Sequence, residues 1–155
     1  MVDHQKRARE IVDMVSYITI ASVSADGEPW NSPVFAAHDG EYRFYWCSYH
    51  GTQHSQNIRA TGRVFLAVYD STVPVGAGEC VYIKGTAKQL TDPVEIATAR
   101  RLLQARCPVP WPLDDLDGDA PMRLYQAVPE RIWMNGSAQV NGRSVDARIE
   151  VDPAP

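Results

Sequence analysis

The stretch RFYWCSYHGTQHSQNIRATGRVFLAV, from Arg43 to Val68, decides how this chain is read. It opens with an aromatic strand, Tyr42 to Cys47, that ends at Ser48. A polar loop leads to Thr52, which suits an N-cap, and Gln53 to Ala60 then read as a short helix stopped at Thr61-Gly62. Two to three backbone N–H groups near Gln53 to Ser55 are left free at the helix start, beside the hydroxyls of Ser48, Thr52 and Ser55. Such a start holds a phosphate without a glycine-rich loop.

Upstream, Asp3 to Val15 read as a helix with Ala8, Ile11, Val12 and Val15 on one stripe and charge on the other face. A helix of this kind packs over a barrel mouth. At Tyr17 the period changes to that of a strand. The dipeptides Asp26-Gly27 and Asp39-Gly40 are hairpin turns that join Tyr17–Ser24, Trp30–His38 and Glu41–Ser48 into an antiparallel meander. Downstream, Arg63 to Tyr69 is a fourth strand, apolar on both faces. One face therefore meets an interior, and the other is expected to lie under a helix or a second subunit.

Cys80 to Leu90 is the fifth strand, and Pro93 opens a helix to Arg106. Pro108 to Pro121 form an irregular loop. Its DDLDGD run fails as a calcium loop: starting at Asp115, Ala120 falls on the glycine position and Gln126 on the bidentate glutamate. A solvated acidic turn is the expectation. Met122 to Met134 is a sixth strand broken at Pro129, and Asn141-Gly142 turns into Ser144–Val151. The expected fold class is mainly β (α+β), a six-stranded antiparallel split β-barrel with a few peripheral helices, formed by residues 1–155 as one domain.

A net charge of −4, from 15 basic and 19 acidic side chains, argues against nucleic acid or an anionic membrane surface as the main partner. No window approaches the ~20 apolar residues of a membrane span. The charged N-terminus lacks the apolar core of a signal peptide, so a cytoplasmic location is expected. Cys47, Cys80 and Cys107 read as buried thiols. There is no His/Cys metal cluster and no Ser–His–Asp order.

The pattern F-Y-x-x-S (Phe44 to Ser48) followed by T-x-H-S-x-N-I-R-A-x-x-R-V (Thr52 to Val64) resembles the flavin-binding split barrels related to pyridoxamine 5'-phosphate oxidase. W-N-S-P-V (Trp30 to Val34) and Y-I-K-G-T-A (Tyr82 to Ala87) fit as well, with weaker agreement at P-E-R-I-W (Pro129 to Trp133). The resemblance covers roughly Ser16 to Asp92. It implies that the backbone of Trp30, Asn31, Ser32, Pro33 and Val34 lines an FMN. The plain alternative is a sheet edge, since Pro33 cannot donate to a ladder. Tyr45 and Trp46 would run beside the ribityl chain mainly through backbone, although alone they read as core aromatics.

Ser48, Thr52, Gln53 and His54 would hold the phosphate. Here the chain departs from many relatives, which carry an Arg-Lys pair where it has Gln53-His54. A cationic His54 binds phosphate, and its pKa rises beside an anion; a solvated helix-start residue is the alternative. Asn57 and Arg59 would brace the loop, and His50 is expected to be exposed. Lys84 would reach a flavin edge, against the ordinary role of a solvent-facing lysine. Arg131 and Trp133 match a late strand that in relatives crosses a dimer, against a plain core role for Trp133.

By this resemblance the cofactor carries the chemistry, and no protein nucleophile or base is named. The expectation is an FMN-dependent oxidoreductase acting on an unknown small molecule, a homodimer with its site at the interface. The alternatives are a reductase using a deazaflavin coenzyme in the same groove, or a non-catalytic flavin-binding protein. Relatives that oxidise pyridoxamine phosphate end in Arg-Leu-x-Pro, whereas this sequence ends Ile149-Glu-Val-Asp-Pro-Ala-Pro. Pyridoxamine phosphate is therefore not the expected substrate.

Overall fold

A computed structural model of the chain describes residues 3–109, 116 and 120–153. Its elements are α1 (His4–Met14), β1 (Tyr17–Val23), β2 (Pro29–His38), β3 (Phe44–Tyr49), α2 (Gln53–Thr61), β4 (Arg63–Tyr69), β5 (Cys80–Gln89), α3 (Pro93–Arg106), β6 (Met122–Val140) and β7 (Arg143–Val151). The strands run β3-β2-β1-β4-β5-β6-β7, and β3 also pairs with β6. Six antiparallel strands therefore close into a ring, and β7 extends β6 outside it as a ribbon. The architecture agrees with the split barrel expected from sequence.

The ring encloses one core. Ile18, Ile20, Val34, Phe44, Leu66, Val68, Val81, Ile83 and Ile132 meet there, each burial contributing about 1.5–3 kcal/mol. Trp46 stacks on Tyr125 at 5.7 Å between ring centroids. Ala8, Ile11 and Val12 of α1, three members of the stripe read from sequence, and Ile58 of α2 enter the same core. A second core lies under α3, where Ala99 and Leu103 pack on Ala37, Tyr45, Leu90, Leu116 and Leu124. The outward face of β3 is thus covered, so Tyr45 and Trp46 point to opposite sides and both are buried.

Several boundaries differ from expectation. The third strand starts at Phe44 rather than at Glu41 or Tyr42. The Asp39 carboxylate accepts from the N–H groups of Glu41 and Arg43, and Tyr42 sits at φ 56, which ends the ladder. The sixth strand runs on to Val140 and is not broken at Pro129. Instead the register jumps, with Lys84 opposite Arg131 and Gly85 opposite Pro129, so Glu130 is the extra residue of a bulge that absorbs the proline. The outer face of β4 has no helix over it: Phe65 is 40% and Tyr69 45% exposed. The acidic turn read at 114–119 lies outside the described residues except Leu116.

The cysteines are free and partly buried, and burial pushes the Cys47 thiol up to about 11. Among the described residues no helix is long and apolar enough to cross a membrane. The bulge makes a stability prediction. A Cβ at Gly85 would collide with the Val128 carbonyl, whereas one at Gly40 meets nothing within 4 Å. Gly85→Ala should cost about 1–3 kcal/mol in urea unfolding, with Gly40→Ala close to neutral.

Candidate functional site

The split in the barrel lies between β2 and β3. Their pairing covers only Ala36–His38 against Phe44–Trp46, because β3 continues along β6, with Phe44 through Tyr49 opposite Ala127 through Met122. β2 stays with β1 from Pro29 to Phe35. Past Ala36, the backbone edge of β2 that faces away from β1 has no strand beside it.

The first turn of α2 sits at this divergence. The helix runs from Gln53 to an αL C-cap at Gly62, φ 67, whose N–H donates to the Ile58 carbonyl. Thr52 has the extended backbone of an N-cap, but its hydroxyl does not cap. The tight turn before it brings Thr52 Oγ1 to 3.0 Å from the Tyr49 carbonyl. That carbonyl only accepts, so the single hydroxyl proton goes there. The first intrahelical bond runs from Gln56 N–H to the Thr52 carbonyl. The N–H groups of Gln53, His54 and Ser55 therefore end the helix with no side-chain cap, and no acidic residue lies in the first turn.

The residues that α2 buries are His54, Ser55, Asn57 and Ile58, three of them polar. Hydrogen bonds rather than an apolar stripe hold this helix. Asn57 Nδ2 donates to Ser22 Oγ on β1 at 3.0 Å, and Asn57 Oδ1 accepts from Gln53 Nε2 at 2.8 Å. Thr61 Oγ1 lies 3.1 Å from the Val23 carbonyl. Arg59 Nη2 donates to the His50 carbonyl at 3.0 Å, so Asn57 braces the sheet and Arg59 the loop. His50 is partly buried and tilts against Tyr49 at 4.8 Å, rather than exposed as expected.

His54 bridges the split. Its Nδ1 lies 3.1 Å from Ser32 Oγ on β2, and its Nε2 lies 2.9 Å from Ser48 Oγ on β3 and 3.2 Å from Thr52 Oγ1. At 6% exposure it is not the solvated helix-start residue of the alternative reading. Burial lowers its pKa below the usual 6.5, so in this arrangement it is a neutral strut rather than a cation. Trp30, half exposed, donates from Nε1 to Ser32 Oγ at 3.0 Å, which extends the network to the surface. Trp30, Gln53 and Asn57 also line a cleft of about 430 Å3 with Ser24, Asp26, Glu28 and Pro29.

The structure thus gathers Trp30, Ser32, Ser48, Thr52, Gln53, His54 and Asn57, with Asn31, Pro33 and Val34 on the open strand edge. Tyr45 lies apart: its hydroxyl accepts from Gln126 at 3.0 Å and donates to Asp39 at 3.2 Å beneath α3. Trp46 is enclosed in the barrel. Lys84 and Trp133 are on the outer sheet face, in the cross-strand rows Asn31-Ala21-Phe65-Lys84 and Pro33-Thr19-Ala67-Tyr82-Trp133. Their side-chain partners are Glu130 for Lys84 and Phe65 and Arg131 for Trp133, and none of these belongs to α2. Lys84 is exposed 3.6 Å from Glu130, and Arg131 lies over Trp133.

Sequence reasoning missed Tyr125, which stacks on Trp46 and stands near Ser55, and Ser22. Both enter through the barrel's register, for which no local pattern exists.

The model of the family described as pyridoxamine 5'-phosphate oxidase matches residues 5–136. No curated protein matches the chain. Among solved structures, a heme-binding protein from Mycobacterium smegmatis superposes with a TM-score of 0.73 at 19% identity, over 96% of this chain and 59% of that one. This chain thus spans little more than half of that protein's length. A candidate 5-nitroimidazole antibiotic resistance protein from Bacteroides thetaiotaomicron gives 0.70 at 10% identity, over 86% and 84%. The heme storage protein HutZ from Vibrio cholerae gives 0.69 at 15% identity, over 84% and 94%. At these identities the likeness is one of fold.

The state of His54 makes a prediction. With its folded pKa below the unfolded ~6.5, the unfolded chain takes up the proton first. The stability from neutral His54 is present above that pH and is lost as pH falls through the folded value. The stability gap between wild type and His54→Gln should therefore narrow from pH 8 to pH 5 in urea unfolding. A gap that widened would mean that His54 is held as the cation.

Proposed function

The chain belongs to the pyridoxamine 5'-phosphate oxidase family, and from that membership we propose that it is an FMN-dependent oxidoreductase acting on a small molecule. The observation that carries the reading is the first turn of α2. Three uncapped amides, no carboxylate in the turn, and the hydroxyls of Ser32, Ser48, Thr52 and Ser55 around them suit a phosphate group. When bound, the flavin supplies two-electron chemistry at its ring.

The chain's own residues bind and position. Gln53, His54 and Ser55 offer backbone N–H groups to the phosphate. Asn31 to Val34 offer the strand edge left open by the split, where a ring can accept or donate main-chain hydrogen bonds in place of a missing strand. Trp30 stands at the mouth of this groove and narrows the access of water. His54 holds Ser32 and Ser48 at a fixed separation and so sets the groove's width.

A second copy completes the site in this reading. Phe65 stacks against Trp133 at 6.4 Å and tilts against Tyr82 at 6.3 Å, an outer aromatic patch flanked by Arg131 and Arg148. A cleft of about 520 Å3 beside it is lined by Arg63, Phe65, Lys84, Thr86 and Glu130 among others. An isologous dimer across this face, burying well over ~1,200 Å2, covers the patch and brings Lys84 and Trp133 of one copy toward α2 of the other.

Absorbance of the purified or reconstituted protein tests the cofactor. Bands near ~375 and ~450 nm are expected for FMN; a single band near ~420 nm would mean the deazaflavin coenzyme. A heme spectrum would move the protein toward the ligand named in two of its structural neighbours. Turnover with NAD(P)H then separates an enzyme from a flavin carrier. In sedimentation at micromolar concentration the wild type should be a dimer. Phe65→Asp should be a monomer that loses most of its FMN affinity while keeping its fold.

A further inference from the structure

The first turn of α2 poses a charge problem. Its amides and the helix dipole make it positive, yet the side chains nearest to them are neutral. Gln53 is tied to Asn57, and burial among three hydroxyls disfavours the charged form of His54. A phosphate monoester carries about two negative charges near neutral pH, more than a helix start of about half a charge balances.

One side chain of α2 brings a full cation to this end. The Cα of Arg59 is in the last turn, but side chains on a helix lean toward its N-terminus. Arg59 accordingly reaches back to donate from Nη2 to the His50 carbonyl, in the loop that precedes α2. Gln56 does the same to the Gly51 carbonyl at 2.7 Å, so the loop is pinned from one helix face. Burial holds the Tyr125 phenol above its usual range, and the Arg59 guanidinium stands near enough to oppose that shift in part. Among the described residues no carboxylate pairs with Arg59.

A cation at the positive end of a helix gains no stability from the dipole there, whereas a dianion bound between them is attracted by both. Resting on the FMN reading above, we propose that Arg59 supplies the counter-charge for the cofactor phosphate. It keeps N–H groups beyond the one given to His50, since a guanidinium has five. The other cation facing Tyr125 is Arg123, paired across the strands with Ser48. Its Nη1 donates to the Ala120 and Met122 carbonyls, which anchors it on β6.

The test is titration with FMN and with riboflavin, which lacks the phosphate, followed by quenching of flavin fluorescence at two salt concentrations. Arg59→Gln should weaken FMN roughly tenfold or more, leave riboflavin within about twofold, and flatten the salt dependence of FMN binding. Arg59→Lys should recover part of the loss. If the Gln variant does not fold, a Lys variant that weakens FMN but not riboflavin carries the same decision. An unchanged FMN-to-riboflavin ratio in an Arg59→Gln protein with wild-type thermal unfolding overturns the assignment and leaves the FMN reading standing. So does a ratio that collapses in Arg123→Gln instead. A wild type that binds neither ligand, or both equally, overturns the phosphate site and Arg59's role together.

Discussion

Closure of the ring through β3 and β6 is the constraint on which the site depends. All six residues of β3 pair with β6, whereas only Phe44, Tyr45 and Trp46 pair with β2. β1, β4 and β5 each keep both neighbours, whereas β3 keeps β6 along its whole length at the expense of β2. β3 leaves β2, and the consequence is a length of open β2 edge with Pro29 and Pro33 in it. An open edge is ordinarily a hazard for aggregation. Here the start of α2 and the Trp30 indole stand over it.

The helix that fills the split is held by polar contacts. His54, Ser55 and Asn57 reach β1, β2, β3 and β6 through Ser22, Ser32, Ser48 and Tyr125. Buried networks of this kind are strong when every member is satisfied and costly when one is not. A neutral imidazole between hydroxyls meets that condition, because hydroxyls adapt as donor or acceptor to either tautomer. The same neutrality leaves Arg59 as the cation that reaches this end of α2. His54 fixes the hydroxyl frame, and Arg59 holds the loop before the helix.

The outer sheet face follows a different logic. Phe65, Tyr82 and Trp133 form a patch that one chain leaves in water, while α3 covers the opposite flank over β2, β3 and β6. Large aromatic patches of this kind mark interaction surfaces. Division of a site between copies would explain why Lys84 and Trp133 carry a family-like sequence context yet have no side-chain partner on α2 within one chain.

Much of the architecture was legible in the residues alone. β-branched and aromatic runs, Asp-Gly and Asn-Gly turns, and the Thr52-to-Gly62 helix signals are local, and local geometry answers to local chemistry. The helix start with its free amides could be read for the same reason. Other features depended on register. The bulge at Lys84 and Gly85, the divergence of β2 from β3, and the meeting of Tyr125 with Ser55 all arise from which strands pair and for how long. His54 shows the difference most clearly. Its sequence position offers a cation at a helix N-terminus, but the tertiary fold buries it among three hydroxyls, and desolvation then decides its charge. Sequence by itself determined the elements and the place of the helix start with its free amides. Only the packed barrel decided which side chains there are neutral, which are charged, and which belong to the opposite face, because burial and strand partnership are properties of the assembled chain.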